Sequence, residues 1–276
     1  KTLDINPVSI FASADSESLH TKLTEQSIEL EGPKNDPVSA YLDVEQIINI
    51  AKEQDCQLIH PGYGFLSENA NFAKRCSDQG IEFVGPPAEI LELFGDKVRA
   101  RQMAESLSIP TIPGSKEALS SAESAKKIAR EIGYPIMLKA SSGGGGRGMR
   151  EVNSDEEMKT AFERCSSEAK SSFGDESLFL EKLIVSPRHI EIQVLADQLG
   201  NTVHLFERDC SVQERNQKVI EIAPAPNLDE KLLDKLYTDA KKLVMEAGYT
   251  NAGTVEFLVL PETDEYYFIE CNPRIQ

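Results

Sequence analysis

No uncharged stretch of the sequence reaches membrane-spanning length, and the first residues, Lys1-Thr2-Leu3-Asp4-Ile5, lack the basic-then-apolar layout of a secretory signal. A soluble, intracellular protein is expected, with no membrane partner. The five cysteines, Cys56, Cys76, Cys165, Cys210 and Cys271, are odd in number, widely spaced and never arranged as C-x-x-C. That excludes a disulfide framework and a cysteine zinc site, and it points to a reducing compartment. Positive charge is scarce: 29 basic against 46 acidic residues leave a net charge of -17, which repels phosphate backbones and anionic lipid. Nucleic acid is therefore not an expected partner. There is no Walker sequence, no internal repeat and no low-complexity tract. What remains is a chain of 276 residues, 40% hydrophobic with only 14 prolines and 17 glycines, long enough for two domains and too apolar to stay unfolded.

The first third alternates short apolar runs with helical patterns: Val8–Phe11, a helix near Val44–Gln54, Gln57–His60, a helix near Glu68–Asp78, and Ile81–Val84. This alternation predicts a parallel α/β layer. Its loop His60-Pro61-Gly62-Tyr63-Gly64-Phe65-Leu66-Ser67-Glu68-Asn69 joins a strand to a helix, where ligands meet an open sheet, although a plain glycine turn has the same spacing. After Pro110, Pro113 and Gly114 the pattern restarts with a helix near Ala122–Ile132, strands Pro135–Ala140 and Met149–Val152, and a long helix opened by the capping box Ser154-Asp155-Glu156-Glu157. A small inserted domain is expected there. From Leu178 strands dominate, broken by one helix that Asn227 is expected to cap and Gly248 to stop.

Gly143-Gly144-Gly145-Gly146-Arg147-Gly148 satisfies G-x-G-x-x-G, but no helical pattern follows it, so a dinucleotide fingerprint fails on context. Four consecutive glycines between two strands instead expose backbone N–H groups able to fold over a phosphate, and Lys139 ends the preceding strand. A flexible hairpin with a solvated lysine is the blander alternative.

The C-terminal pair Thr254–Val259 and Tyr266–Cys271 flanks a turn-like Pro261–Glu265 and predicts an antiparallel hairpin. With the turn centred on Thr263, Leu258 faces Phe268 and Glu256 faces Glu270. Carboxylates standing opposite each other repel, so the pair calls for a cation, and with Asn272 it forms a hard-oxygen set suited to magnesium. Provided Pro273 does not break the strand, the period of two then puts Glu270, Asn272, Arg274 and Gln276 on one face, and Ile269, Cys271, Pro273 and Ile275 on the other. Similar alternation in His189–Val194 puts His189, Glu191 and Gln193 on a shared face, whereas Glu207–Lys218 cannot be told from a solvated loop by spacing.

Taken together, His60–Asn69, Gly95-Asp96-Lys97, Lys139–Met149, Arg188–Asp197, Glu207–Lys218 and Glu270–Gln276 resemble the biotin carboxylase part of biotin-dependent carboxylases, over essentially the whole chain. Within that family Ser167–Lys170 before Phe173-Gly174, Val219–Pro224 and Asn272–Gln276 look most like the pyruvate carboxylases; acetyl-CoA carboxylases more often have a second Glu where Ile222 stands. The resemblance implies a Rossmann-like α/β domain over residues 1–95 and an α+β ATP-grasp domain over 96–276, with 111–183 as its small lid. It implies that ATP, with Mg2+ or Mn2+, activates bicarbonate to carboxyphosphate for carboxylation of biotin, which hangs from a separate carrier domain. A carboxyltransferase domain and homo-oligomers in the full-length protein are implied partners, in the cytoplasm or, in a eukaryote, the mitochondrial matrix.

By the same resemblance Lys97 and Lys139 neutralise ATP phosphates, Gly145 and Gly146 cover them, and Glu181, Lys182 and Ile184 frame the adenine. His189, Gln213 and Asn216 complete the nucleotide pocket. Glu256, Glu270 and Asn272 hold the metal; Lys218 and Arg274 bind bicarbonate, and Arg274 also stabilises charge on the biotin ureido oxygen. Two positions depart from the family pattern: Asn216, usually His, and Glu214, usually Arg. The family's opening strand precedes Lys1 and its Val-Glu base follows Gln276, so this chain is expected to hold most of the ATP site and only part of the carboxylation site. Alternatives are an acyl-CoA or urea carboxylase, another ATP-grasp ligase, or a non-catalytic nucleotide-binding fragment.

Overall fold

Residues 4–91 alternate short strands and helices, as the sequence pattern predicts, with one strand more. In this computed structural model, which describes residues 4–140, 148–173, 175–214, 217–260 and 262–276, β1 (Val8–Ala12) pairs in parallel with β2 (Gln26–Leu30). Helix α1 (Leu19–Leu23) lies between these strands in the chain, and α2 (Pro37–Ala40) and α3 (Val44–Glu53) follow β2. Then come β3 (Leu58–Ile59), α4 (Ala70–Asp78) and β4 (Glu82–Phe83), with β3 and β4 again parallel. Asn69 caps α4 by accepting from the Phe72 N–H at 2.9 Å, so that helix starts two residues later than its pattern suggests. Strand β2 went unread because only Leu30 of it is buried. A core running from Ala12 to Leu91 holds this part together, and α5 (Ala88–Gly95) and α6 (Lys97–Ser106) lead out of it.

The middle of the chain carries α7 (Ala122–Ile132), β5 (Ile136–Ala140), β6 (Met149–Val152), α8 (Asp155–Phe173) and β7 (Leu178–Lys182). Its three strands form an antiparallel sheet in the order β6-β5-β7, closed over a separate core from Leu119 to Leu180. Ser121 and Ser124 cap α7 reciprocally.

The last part is a five-stranded antiparallel sheet, β10-β9-β8-β11-β12, built from β8 (Arg188–Ala196), β9 (Thr202–Glu214), β10 (Gln217–Ile222), β11 (Asn251–Leu260) and β12 (Glu265–Asn272). Helix α9 (Glu230–Glu246) lays Leu232, Leu236, Ala240, Leu243 and Val244 into the same core as Ile190, Ile192, Val255 and Phe257. Asp229 caps it, not Asn227: the Asp229 carboxylate accepts from the Lys231 and Leu232 N–H groups, while Asn227 sits at φ 54° with its carbonyl taken by Arg188. Gly248, at φ 67°, stops it as expected.

The expected hairpin forms with Glu256 opposite Glu270, but Leu258 faces Tyr267 rather than Phe268 because Ile269 bulges out of register. Phe268 and Glu270 are two apart and would share a face in a regular strand. The bulge resolves that conflict, sending Phe268 into the core against Phe257 and keeping Glu270 with the polar set. The strand also ends at Asn272 instead of running to Gln276: Pro273 has no N–H for the ladder, and the Arg274 N–H turns back to the Asn272 carbonyl at 2.9 Å.

Gly253, on β11, is enforced by close approach, since a Cβ there would lie 2.1 Å from the Tyr249 hydroxyl and 3.1 Å from the Asn272 carbonyl. Gly253→Ala should therefore cost about 1–3 kcal/mol by overpacking. Urea unfolding measures it; wild-type stability would show that the Tyr249 ring yields freely. No helix among the described residues is long and apolar enough to cross a membrane.

Candidate active site

Register places a row of charged residues straight across the large sheet. Arg208 on β9 is opposite Glu191 on β8, Glu191 opposite Glu256 on β11, and Glu256 opposite Glu270 on β12. Three carboxylates on adjacent strands repel one another, so the fold must supply cations. The segment Glu207–Lys218 supplies them. Its described residues belong to the antiparallel strands β9 and β10 rather than to a solvated loop, and Lys218 lies opposite Gln213.

Glu256 is 1% exposed and every oxygen is used. Its Oε1 accepts from Lys218 Nζ at 2.6 Å and from Asn272 Nδ2 at 2.5 Å, while Oε2 contacts His189 Nε2. Gln213 Nε2 lies 2.9 Å from His189 Nδ1, so the amide donates there and the ring proton on Nε2 faces Glu256. Burial would push the Glu256 carboxyl up, but the His189 contact and the Lys218 charge outweigh it and hold the group down at about 2. Burial likewise works against the Lys218 ammonium, and the Glu256 and Glu191 carboxylates reverse that, raising it well above an ordinary lysine. Glu191 is wholly buried; its Oε2 accepts from Lys218 Nζ at 2.6 Å and its Oε1 from Arg208 Nε at 2.6 Å. Glu270 lies at the edge of the row, 3.4 Å from Lys97 Nζ.

Arg274, just past the end of β12, donates from Nε to Glu68 Oε1 at 2.6 Å and stacks its guanidinium 4.5 Å above the Tyr63 ring. Those residues, with Ser67 and Asn272, line a cavity of about 260 Å³ between the 60–69 loop and the end of β12. The 60–69 loop thus meets the end of β12 directly.

His189, Gln213, Lys218, Glu256 and Asn272 form one bonded cluster, with Glu270, Lys97 and Arg274 beside it. Lys139 and Glu181 pair with each other across β5 and β7. Lys182 Nζ is held by the Gly133 and Tyr134 carbonyls at 3.0 and 2.9 Å, and Ile184 is half-buried just beyond β7. Gly145, Gly146 and Asn216 lie outside the described residues. Sequence reasoning missed Glu191 and Arg208 as members of the cluster. The alternation of His189–Val194 did put Glu191 on the polar face, but nothing local announces that β9 lies alongside.

Residues 96–276 match the family described as carbamoyl-phosphate synthase L chain, ATP binding domain, and residues 1–91 match biotin carboxylase, N-terminal domain. The chain belongs to the biotin carboxylase family. It is 52% identical over 274 residues to the pyruvate carboxylase of Bacillus subtilis and 47% identical to the mitochondrial pyruvate carboxylase of Mus musculus, covering 99% of this chain. It spans only 24% and 23% of those proteins. The Campylobacter jejuni biotin carboxylase, solved as a β-γ-ATP complex, superposes with a TM-score of 0.90 at 44% identity, covering all of this chain and 61% of that one. The biotin carboxylase domain of Hydrogenobacter thermophilus 2-oxoglutarate carboxylase, a dimer with MgADP, ADP and bicarbonate, gives 0.89 and 44%, over all of this chain and 60% of its own. The two-part fold, a parallel α/β layer followed by an ATP-grasp, is that of this biotin carboxylase family.

Proposed function

We propose that the chain carries the ATP- and bicarbonate-binding half of biotin carboxylation in a pyruvate carboxylase. The observation that carries this is the row Glu191–Glu256–Glu270 with Lys218 bonded between its first two carboxylates. Glu256, Glu270 and Asn272 suit a hard divalent cation: the donors are oxygens, Glu256 is buried and already polarised by Lys218, and a half-turn of the Asn272 amide presents its carbonyl where its N–H now lies. Magnesium or manganese bound there would neutralise nucleotide phosphates. Lys97 and Lys139 add positive charge, and His189, held by Gln213, orients Glu256.

ATP passes its γ-phosphoryl group to an oxygen of bicarbonate, leaving ADP and carboxyphosphate, which releases carbon dioxide and phosphate beside the biotin ureido ring. Lys218 binds the bicarbonate anion; Arg274, placed over Tyr63 and bonded to Glu68, offers its guanidinium to bicarbonate and to the ureido oxygen. Glu181, Lys182 and Ile184, together with Gly145, Gly146 and Asn216, are assigned to nucleotide binding by resemblance. The 52% identity to a pyruvate carboxylase supports pyruvate as final acceptor, with biotin on a carrier domain and a carboxyltransferase domain as partners. The dimeric neighbour supports homo-oligomerisation, and five free thiols support the cytoplasm or mitochondrial matrix.

The test is ADP release from Mg-ATP by the natural full-length polypeptide, with bicarbonate and with or without free biotin. Release should require bicarbonate and rise with biotin. Release driven only by a different carboxylate would end this reading, and carboxylation of 2-oxoglutarate in place of pyruvate would end the acceptor assignment.

A further inference from the structure

Lys218 raises an electrostatic problem: an ammonium bonded at 2.6 Å to each of two buried carboxylates has little charge left for an anion. On the Glu256 side the charge is shared with Asn272 and His189. On the Glu191 side one residue among those described does this work. We infer that Arg208 is a positioning residue that neutralises Glu191 from behind, so that Lys218 keeps its positive charge directed at bicarbonate; the inference rests on the proposed role of Lys218.

Arg208 donates from Nε to Glu191 Oε1 at 2.6 Å and from Nη1 to Gln193 Oε1 at 3.1 Å. Gln193 is itself fixed, its Nε2 donating to the Gly253 carbonyl on β11 at 2.9 Å. The guanidinium is thus aimed by two acceptors on β8 and, through Gln193, by β11. The remaining acid near it, Glu221, is 3.6 Å from Nε and half exposed, a weaker competitor than wholly buried Glu191. Buried Glu191 therefore divides its two oxygens between two cations. Take Arg208 away and its whole charge falls on Lys218, which it would neutralise and draw off Glu256. A lysine could keep the charge but not the planar fork that aims separate N–H groups at Glu191 and Gln193.

The experiment uses the natural full-length polypeptide and reads KM for bicarbonate, KM for Mg-ATP and kcat for ADP release. In Arg208→Met the bicarbonate KM should rise on the order of tenfold or more, the range for residues that orient a binding side chain, with the Mg-ATP KM within about twofold of wild type. Arg208→Lys should fall between them, and it decides the matter if the methionine variant does not fold. A wild-type bicarbonate KM in either folded variant overturns the role of Arg208, as does an equal rise of both KM values in Arg208→Lys, which marks general loosening. Absence of any bicarbonate dependence in the wild type removes the functional reading itself, before a variant is compared.

Discussion

Lys218→Met should abolish bicarbonate-dependent ADP release, by on the order of 10²–10³-fold, the scale for removing one donor to a reacting anion. It should also destabilise the protein. The substitution strips the shared cation from Glu191 and Glu256, whose side chains are 0% and 2% exposed. Breaking a buried pair by deleting one partner costs about 3–5 kcal/mol, and the lower end applies because Lys218 is itself 24% exposed. Urea unfolding reads the second effect and steady-state ADP release the first. The two separate in the double variant Lys218→Met with Glu191→Gln, which removes one buried charge along with its partner: stability should recover in part while bicarbonate dependence stays lost. Retention of wild-type bicarbonate dependence in folded Lys218→Met would take the lysine out of the site.

Glu270→Gln should weaken Mg-ATP binding about tenfold or more and leave the fold unchanged. Its one ion pair among the described residues is with Lys97, a side chain 74% exposed, and such surface pairs are worth about 0–1 kcal/mol. Glu256→Gln should weaken binding similarly but also lose stability, because Lys218 and His189 both depend on that carboxylate. Nucleotide titrations with and without magnesium distinguish the cases. Unchanged magnesium-dependent affinity in both variants would eliminate the hairpin as the metal site.

The hairpin was legible because its determinants are local. Two strands and a short turn decide which residues face each other, so Glu256 opposite Glu270 followed from counting. Counting failed one step further out, at Phe268, where the core demanded the side chain that a regular strand would have turned toward Glu270, and a bulge at Ile269 was the outcome. The same holds at the helix before it: Asn227 and Asp229 are both competent caps by residue type, but Asp229 has the extended backbone that a cap needs while Asn227 sits at φ 54°.

By itself the sequence determined the capped helices and the C-terminal hairpin, though not β2, β9 or β10, together with the opposed carboxylates at 256 and 270 and the family, since each depends on spacing within a short stretch or on motifs read in order. Only the tertiary structure decided that Glu191 joins those carboxylates, that Arg208 and Lys218 stand on either side of it, and that Tyr63 and Glu68 hold Arg274. The reason is the strand order β10-β9-β8-β11-β12 and the packing of the 60–69 loop against the end of β12. Hydrogen bonds between strands far apart in the chain set which charges become neighbours, and no local period encodes that choice.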